Sequence, residues 1–515
     1  NLGSAMSDQG RLDEAIDAYQ RAIALTPDYP EACNNLGNAL KDQARLDEAI
    51  AAYERAIGLK PDLAEAHNNL GNTLKDQGRL DEAIACFRKA LALKPAFSAA
   101  ASNLALSSLY HPDHDDRAIR AELLRWDAQF AAPLAPLSRP HTNQAAPDRR
   151  LRVGYVSPDF RDHVVGRNLL PLFREHDHRP LEIFCYADVT RPDDLTRRFQ
   201  GHADVWRDIL GRTDDQVARL VRDDGIDVLV DLTLHMAHNR LLVFARKPAP
   251  VQVSFAGYPG TTGLSAIDYR LTDPYLDPPG RDDTEDDGEI VRLPHSFWCY
   301  DPLTDEPAVN PLPALDRGSV TFGCLNNFVK VNPQGLATWA RVLRAVAGSR
   351  LLLLAPEGHF RRDTLRRLEH EGIAPDRVAF VAHQPRRRYL ELHHGIDLML
   401  DTLPYNGHTT SLDALWMGVP VVTMVGRTVV GRAGLSQLTN LGLTELIAAT
   451  PEEFVAIAVA LAGDLPRLAG LRGTLRDRMR GSPLMDAAGF ARGVEAAYRT
   501  MWRRWCARPS PPRPG

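Results

Sequence analysis

A unit of 34 residues repeats three times at the start of the chain. The copies begin at Asn1, Asn35 and Asn69 and align without gaps, sharing an N-L-G start, a central E-A-I, an aromatic residue and a proline. A degraded fourth copy begins at Asn103. A period of this length is typical of paired helices, because each pair buries its apolar face only by stacking on its neighbours. The sequence therefore predicts stacked helical pairs over residues 1–102.

The repeat pattern is that of tetratricopeptide repeats, which form an α-superhelix with a concave groove. Asn35, Asn69 and Asn103 recur at one helical position, so they predict a row of amides along one face. We expect these amides to hydrogen-bond the backbone of an extended acceptor peptide with little regard for its sequence. The alternative is that they are turn-favouring residues at helix starts. The array predicts a protein partner and performs no chemistry itself.

The character of the chain changes after a predicted helical linker, residues 103–149. β-Branched runs then alternate with amphipathic helices in two sets, which predicts parallel sheets and two Rossmann-like lobes over residues 150–315 and 316–485. A terminal helix and a disordered proline-rich tail are expected over residues 486–515. The predicted strands lie within 151–157, 181–187, 226–233, 250–260, 320–327, 350–356, 378–383, 396–402 and 419–424.

Composition argues against several classes of partner. The net charge of -5 disfavours a nucleic-acid partner, because phosphate binding needs a basic face. The six cysteines lie far apart and form no C-x-x-C pair, which suits reduced thiols in the cytosol. No apolar run approaches the roughly 18–20 residues of a membrane span. We expect a cytoplasmic protein without a membrane partner, whose N-terminal sequence is incomplete because the chain starts inside a repeat.

Common cofactor motifs are missing from the sequence. It contains neither G-x-G-x-x-G nor G-x-x-x-x-G-K-[ST], which argues against a dinucleotide oxidoreductase and a P-loop NTPase. The one superficial metal pattern, Asp113-His114-Asp115, precedes a helix and does not follow a strand. We interpret it as a helix cap and charged surface. The sequence therefore predicts no metal and no cofactor.

The stretch YNGHTTSLD joins an apolar run to a predicted helix in the second lobe. A helix start there offers free N–H groups and a partial positive charge, which favour a phosphate. Gly407 allows close backbone approach, and Lys330 supplies the point charge that a diphosphate needs. The alternative is a T-x-x-D capping box between Thr410 and Asp413, which leaves Gly407 and His408 unexplained.

One histidine is the leading candidate for a general base. His163 follows the first strand of the first lobe, and a loop histidine is able to take a proton near neutral pH. His235 and His238 are alternatives on the loop after the strand 226–233. No nucleophile elbow is present, and no cysteine has a flanking base. Direct displacement on a phosphate-linked donor is therefore favoured over covalent catalysis.

Four motifs together carry a resemblance to a known family. The repeats are followed by VGYVSPDFRDH, RKPAPVQVSFAGYPGTTG, LNNFVKVNP and YNGHTTSLDALWMGVPVVTM, and the whole chain resembles the O-GlcNAc transferase family with its bacterial and SPINDLY-type relatives. The resemblance implies a GT-B fold and an inverting, metal-independent glycosyltransferase. It further implies transfer of N-acetylglucosamine from UDP-GlcNAc to Ser or Thr hydroxyls of proteins.

The resemblance also implies roles for individual residues. His163 matches a proposed general base, and Lys330 matches the lysine that holds the donor diphosphate together with the helix start at residues 407–410. Asp413 is expected to bind the ribose. The complete set of implied nucleotide-sugar contacts is Asn327, Lys330, Gln384, Arg386, Tyr389, Gly407, His408, Thr409, Thr410, Asp413, Gly257, Pro259 and His235.

Departures from the family pattern leave alternatives for the donor. Asn327 and DLTLHMAHNR are more similar to the SPINDLY branch, which implies GDP-fucose, whereas NGHTTSLD follows the O-GlcNAc branch. The alternatives to O-GlcNAc transfer are GDP-fucose-dependent O-fucosylation, N-glucosylation of asparagine, and an inactive scaffold that binds peptides through its repeats.

Overall fold

The computed structural model describes residues 2–280, 288–303 and 306–508. Of the predicted disordered tail, residues 509–515 lie outside the described residues. The repeats fold as the predicted helical pairs, and a degraded pair follows them. Their helices are α1 Leu2–Asp8, α2 Leu12–Leu25, α3 Pro30–Asp42, α4 Leu46–Leu59, α5 Ala64–Asp76, α6 Leu80–Leu93, α7 Ser98–Ser108 and α8 Asp116–Trp126.

The repeated glycine and aromatic residue pack against each other within a helical pair. Tyr53 and Phe87 are completely buried, each against the preceding helix. A Cβ at Gly37 would lie 2.5 Å from the Tyr53 ring, and one at Gly71 would lie 2.7 Å from the Phe87 ring. These distances are too short for a side chain, so the N-L-G glycine is fixed by the aromatic residue 16 positions later.

The repeated asparagines form a continuous chain of hydrogen bonds along the first helix of each repeat. Asn103 donates to Asn68 at 2.9 Å and Asn69 donates to Asn34 at 3.0 Å. Within a single helix, Asn68 donates to Asn69 at 3.4 Å and Asn34 to Asn35 at 3.3 Å. The predicted row of amides is therefore present. Its binding of a peptide remains a prediction.

The repeat array also contacts both lobes that follow it. The guanidinium of Arg191, in the first lobe, donates to the backbone carbonyl of Ser7 at 3.2 Å. On the second lobe, the backbone N–H of His359 donates to the Asp47 carboxylate at 2.9 Å, and Arg362 pairs with the same carboxylate at 3.2 Å. The array thus contacts the two lobes through its early helices as well as through its last one.

A linker leads from the array into the first sheet. The predicted helix here is α8, which continues as a π-helical turn, Asp127–Ala131, and a 3-10 turn, Ala132–Leu137. Asp115 caps α8 by accepting from the Ala118 N–H at 2.8 Å, as predicted. Further along, Asn143 and Arg149 both bond the buried carboxylate of Asp227. The linker therefore packs against the first lobe.

The first lobe contains a seven-stranded, wholly parallel sheet in the order β3-β2-β1-β4-β5-β6-β7. Its strands are β1 Leu151–Ser157, β2 Leu181–Ala187, β3 Val205–Asp208, β4 Val228–Asp231, β5 Val251–Ser254, β6 Tyr269–Thr272 and β7 Glu289–Arg292. Its helices are α9 Val164–Glu175, α10 Asp194–His202, α11 Asp214–Asp223 and α12 Leu241–Phe244.

The second lobe repeats this order with six parallel strands, β10-β9-β8-β11-β12-β13. Its strands are β8 Thr321–Cys324, β9 Arg350–Leu354, β10 Val378–Val381, β11 Leu398–Leu400, β12 Val421–Met424 and β13 Ile447–Ala448. Its helices are α13 Pro313–Arg317, α14 Pro333–Ala345, α15 His359–His370, α16 Arg386–Leu392, α17 Thr409–Trp416, α18 Ala433–Asn440, α19 Pro451–Gly463 and α20 Leu465–Arg480, with 3-10 turns at Phe328–Lys330, Pro375–Arg377, His393–Gly395, Val429–Arg432 and Thr444–Leu446.

The predicted strands are correct in number and place for the central part of each sheet, but most are too long. The run 250–260, for example, is a strand only over Val251–Ser254, because a turn follows immediately. Four short strands, β3, β6, β7 and β13, were not predicted. They lie towards the sheet margins. In β3, β6 and β7 charged residues interrupt or bound the apolar run, and β13 has only two residues, so none carries the apolar pattern of the predicted strands.

The predicted terminal helix is α21, Ala487–Cys506, and it packs against α9 of the first lobe. Glu495 accepts hydrogen bonds from His176 Nδ1 and from the Asp177 N–H, both at 2.9 Å. His176 Nε2 in turn accepts from the Tyr155 hydroxyl at 2.8 Å. Because His176 is buried, its neutral ring is fully satisfied only while the helix is docked.

No single helix among the described residues is long and apolar enough to cross a membrane. One bent pair, α19 with α20, meets that test by length and composition alone, with an angle of 94° between the two helices.

Replacing Glu495 by Leu is expected to destabilise the protein by about 2–4 kcal/mol, because the His176 and Asp177 donors lose their partner in a buried place. Urea unfolding followed by near-ultraviolet circular dichroism measures the change. The matched control is Glu452→Leu, which breaks an exposed ion pair with Arg341 and should leave the midpoint almost unchanged. Equal midpoints for both variants would contradict the assigned role of Glu495.

Candidate active site

The strand order of both sheets reverses at the same relative place. In the first lobe the reversal lies between β1 and β4, and in the second lobe it lies between β8 and β11. Ligands of open parallel sheets bind beyond the strand ends at such a reversal, because the two loops there diverge and leave a crevice. The loops after β1, β4, β8 and β11 carry His163, His235, Lys330 and Gly407, which were predicted from the sequence as candidate site residues.

A buried carboxylate shapes the loop after β11. Asp401 accepts from the backbone N–H groups of Gly407 and Thr402 at 2.6 and 2.8 Å, and from the Thr423 hydroxyl at 2.7 Å. The amide of Asn326, after β8, donates to it at 3.3 Å. Asp401 and Asn326 were not among the predicted site residues, although both stand at strand ends. They fix the loop that leads into α17.

The N-terminus of α17 is not capped by a side chain of the residue before it. The Thr410 hydroxyl donates to Asn326, and His408, the residue before the helix, makes no side-chain cap bond among the described residues. The capping-box alternative is therefore wrong. A Cβ at Gly407 would lie 2.2 Å from Ser411 Oγ and 3.0 Å from Asn326 Oδ1, so only glycine fits this position. The helix start thus keeps free backbone donors, as an anion site requires.

A hydrogen bond joins the two lobes at this helix start. Asn168, on α9 of the first lobe, donates from its amide to Thr409 Oγ1 at 2.8 Å. Since the Thr409 oxygen accepts this bond, its own hydroxyl proton is left to donate to a ligand. Asn168 had no distinguishing sequence signal, because it lies mid-helix in an apolar stretch.

Lys330 lies on the 3-10 turn after β8 and reaches towards the same loop. Its ammonium donates to the backbone carbonyl of Asn406 at 2.8 Å and lies 4.0 Å from the centre of the Tyr405 ring. Burial lowers the pKa of Lys330, and the charge of Asp401 opposes this shift. The neighbouring Asn327 is exposed and caps the turn through the Val329 N–H at 3.2 Å.

His408 packs beside this cation. Its ring lies 4.7 Å from that of Tyr405 and 5.2 Å from that of Trp298, and its Nε2 is 3.3 Å from the Val430 carbonyl. Burial lowers the pKa of His408 well below its ordinary value, and the charge of Lys330 adds to the shift. Because the neutral ring uses its one N–H at Nε2 on the Val430 carbonyl, Nδ1 remains available as a hydrogen-bond acceptor.

Asp413 is held in a buried ion pair. Its carboxylate receives two hydrogen bonds from Arg386, at 2.5 and 2.6 Å, and one from the Tyr300 hydroxyl at 2.8 Å. Because these bonds occupy most of its acceptor capacity, the expected ribose contact requires sharing with Arg386. Arg386 Nε and the Tyr389 hydroxyl are buried without a partner among the described residues. Gln384 is half-buried nearby in sequence, on the loop before α16.

His163 caps α9 at the mouth of the first lobe. Its Nδ1 lies 3.3 Å from the Val165 N–H and 3.3 Å from a carboxylate oxygen of Asp159. Burial lowers the pKa of His163 to about 4, and the charges of Arg161 and Arg167 add to the shift. Burial also raises the pKa of Asp159 to about 6. At neutral pH the imidazole is therefore uncharged.

His235 does not lie where the sequence placed it. It is completely buried between the linker and the first lobe, with Nε2 donating to the Thr262 carbonyl at 2.6 Å and Nδ1 3.2 Å from the Ser102 hydroxyl. Both nitrogens are occupied, so neither a sugar contact nor a base role fits, and the assignment of His235 is corrected to a structural one. His238 is exposed.

Gly257 and Pro259 lie on the loop after β5, which packs against the loop after β4. A Cβ at Gly257 would lie 2.9 Å from the Thr233 carbonyl oxygen, so the two backbones approach as closely as glycine allows. Tyr258, between them, belongs to the same apolar cluster as Tyr405 of the second lobe. The loop is thereby brought to the cleft. Within the described ranges no group of three or more His, Cys, Asp or Glu side chains is arranged to hold a metal.

Comparison with known proteins agrees with this geometry. The model of glycosyl transferase family 41 matches residues 124–302 and 312–494, and tetratricopeptide repeat models match residues 3–44, 37–78 and 64–97. A solved structure, a mutant of the Thermobaculum terrenum O-GlcNAc transferase, is 38% identical with a TM-score of 0.93, covering 98% of this chain and 96% of that one.

Two plant proteins represent the curated relatives. A Petunia hybrida protein named as a probable UDP-N-acetylglucosamine–peptide N-acetylglucosaminyltransferase SPINDLY is 42% identical over 71% of this chain and 40% of its own length. An Arabidopsis thaliana protein named as a probable enzyme of the same activity, SEC, is 32% identical over 70% and 38%. This chain spans about two fifths of the length of the curated relatives that it matches. With its helical repeats and two-lobed GT-B fold, the chain belongs to glycosyltransferase family 41.

Proposed function

We propose that this chain transfers N-acetylglucosamine from UDP-GlcNAc to serine or threonine hydroxyls of proteins, with inversion at the sugar. The observation that carries the proposal is the pairing of Lys330 with the uncapped start of α17 at the strand reversal of the second lobe. A dianionic leaving group fits this pair of cationic features. The names of the SPINDLY and SEC relatives support UDP-N-acetylglucosamine as the donor and a peptide as the acceptor, and the name of the solved O-GlcNAc transferase supports the transferred sugar and its oxygen linkage.

The reaction is a direct displacement. The acceptor oxygen bonds to the anomeric carbon from the side opposite the nucleotide, while the bond from that carbon to the β-phosphate oxygen breaks. The electron pair stays on the departing UDP, whose developing charge faces the Lys330 ammonium and the N–H groups at Thr409 and Thr410. Such preorganised donors stabilise the transition state more than the ground state. These groups supply positive charge without a metal in the proposed mechanism.

The acceptor proton passes to His163 in this proposal. Nδ1 of His163 either accepts from the Val165 N–H or carries a proton towards Asp159, and only the second tautomer leaves Nε2 free to take a proton. Asp159 is nearly buried and adjacent, so it favours that tautomer. The uncharged state of His163 at neutral pH suits a base, since the proton acceptor must be empty before the step.

The acceptor protein is proposed to lie along the asparagine chain of the repeats. Asn35, Asn69 and Asn103 are half-buried at equivalent places, and each amide has bonding capacity beyond the chain itself. Backbone groups of an extended segment are matched partners for such amides. A cytoplasmic location is proposed with the activity, because cytosolic UDP-sugars and unfolded protein segments are its substrates.

Lys330→Ala is expected to lower kcat/KM by at least about a hundredfold, because one preorganised contact to a leaving oxyanion contributes roughly 3–4 kcal/mol. Radiolabelled sugar transfer to a serine-containing peptide measures the change. The control is Lys89→Ala, an exposed lysine on α6 of the repeats, which should retain wild-type rates. Wild-type turnover in Lys330→Ala would refute the assigned diphosphate site.

The activity is expected to fall on the alkaline side at a pH below the ordinary lysine pKa of about 10.4. The protonated ammonium is the active form, and burial lowers the pKa of Lys330, so protonation is lost earlier as pH rises. In a pH profile of kcat/KM from pH 6 to 10, Lys330→Arg should move this limb upward, since a guanidinium does not deprotonate there. An unmoved limb would assign the titration to another group.

Calorimetry should show UDP binding at least about tenfold tighter than GDP, because His408 and Asp413 follow the O-GlcNAc branch of the family. Mass spectrometry of product peptides then identifies the sugar and the modified residue. Tighter GDP binding with a deoxyhexose product would replace the proposal by O-fucosylation. A hexose on asparagine would indicate N-glucosylation, and absence of nucleotide binding would leave a peptide-binding scaffold.

A further inference from the structure

The support for Lys330 comes from an aromatic residue of the site loop. Tyr405 is almost completely buried, and its ring lies beneath the Lys330 ammonium at 4.0 Å. A desolvated aromatic face attracts a cation through its quadrupole. Together with the bond to the Asn406 carbonyl, the ring leaves two ammonium hydrogens unassigned and restricts where they point. The position of the Tyr405 ring therefore sets the position of the charge.

The ring of Tyr405 is in turn supported from the repeat region. Tyr110, just after α7, stacks on it with 4.8 Å between ring centres and 18° between planes. The two tyrosines are 295 positions apart in sequence and lie in different parts of the fold. Offset stacking of this kind fixes ring orientation as well as adding contact area.

The stack sits on an apolar cluster to which all three parts of the fold contribute. The repeat region and linker supply α7 and α8, the first lobe supplies Leu234 and Tyr258, and the second lobe supplies Tyr405 and Val430. A second contact lies close by, where the turn at Gly78 approaches the Val331 carbonyl: a Cβ there would be 3.5 Å from that oxygen. Interiors packed in this way transmit small displacements.

We infer that Tyr110 and Tyr405 are positioning residues for Lys330, so that the repeat region forms part of the donor-diphosphate site as well as the acceptor groove. The inference rests on the proposed function, since it assigns the purpose of a contact to the same lysine. It adds one expectation to that function: substitution of Tyr110 should slow departure of UDP even when no acceptor protein is bound to the repeats.

The test separates donor chemistry from acceptor binding. Hydrolysis of UDP-GlcNAc by the full chain without acceptor reports departure of UDP alone, whereas the KM for a serine peptide reports the acceptor side. Tyr405→Leu is expected to lower the hydrolysis rate by about tenfold and Tyr110→Leu by about threefold to tenfold, because ring support of the cation is lost. The peptide KM of Tyr110→Leu should stay within about twofold of wild type, as a KM effect would indicate acceptor binding.

Conservative variants and a matched control make the outcome specific. Tyr110→Phe and Tyr405→Phe keep the rings and should restore hydrolysis to near the wild-type rate. Tyr29→Leu replaces an exposed tyrosine of the repeats and should have no effect on it. Thermal unfolding of each variant, with the Phe variant as reference, distinguishes lost positioning from lost folding.

Each result decides a different statement. If Lys330→Ala abolishes hydrolysis but Tyr110→Leu hydrolyses at the wild-type rate, the positioning role is overturned and the diphosphate site stands. If Tyr110→Leu alters only the peptide KM, the residue belongs to the acceptor groove and the inference is again overturned. If Lys330→Ala hydrolyses normally, the proposed function itself fails. Reduced hydrolysis in both Leu variants, restored in both Phe variants, supports the inference.

Discussion

The candidate site depends on one buried carboxylate. Asp401 directly follows the central strand β11 and accepts hydrogen bonds from the Thr402 and Gly407 N–H groups and the Thr423 hydroxyl. Burying a charge is costly unless its lone pairs are satisfied, and here the donors come from the loop that must be shaped. A change in the loop's conformation would remove these donors and leave the carboxylate buried without partners. The uncapped start of α17, the glycine approach and the contact with Asn326 all follow from this arrangement.

The sequence predicted features that repeat or that have a local cause. The 34-residue period fixed the helical pairs, and the strand-then-polar-loop pattern placed Lys330 and Gly407 at the ends of neighbouring strands, where the structure has them. Contacts between residues that are distant in sequence could not be predicted. The pairing of Arg386 with Asp413, the bond from Asn168 to Thr409 and the stack of Tyr110 on Tyr405 each depend on how separate elements come together. No local pattern marks such partners.

His235 shows the same limit of sequence-based prediction, because it was assigned to the site and the structure places it elsewhere. A histidine at the end of a strand is an ordinary candidate for a site, and its position in the chain is the one expected. Its side chain nevertheless bonds Ser102 of α7 and Thr262 of the first lobe, and Trp126 of the linker helix packs edge-on against its ring. Which face of a loop is covered depends on a neighbouring domain. That information lies more than a hundred residues away.

The asparagine chain of the repeats has a direction. The two bonds that join neighbouring first helices both run towards the N-terminal end, from Asn103 to Asn68 and from Asn69 to Asn34. Within a helix, Asn68 donates to Asn69 and Asn34 to Asn35, so the four bonds form one directed series. Identical rungs at equal spacing define no unique alignment for a bound strand. A polypeptide shifted by one repeat meets the same set of partners. If the acceptor binds as proposed, it would be free to slide in steps of one repeat, which would bring successive hydroxyls of one flexible segment within reach of a single donor site.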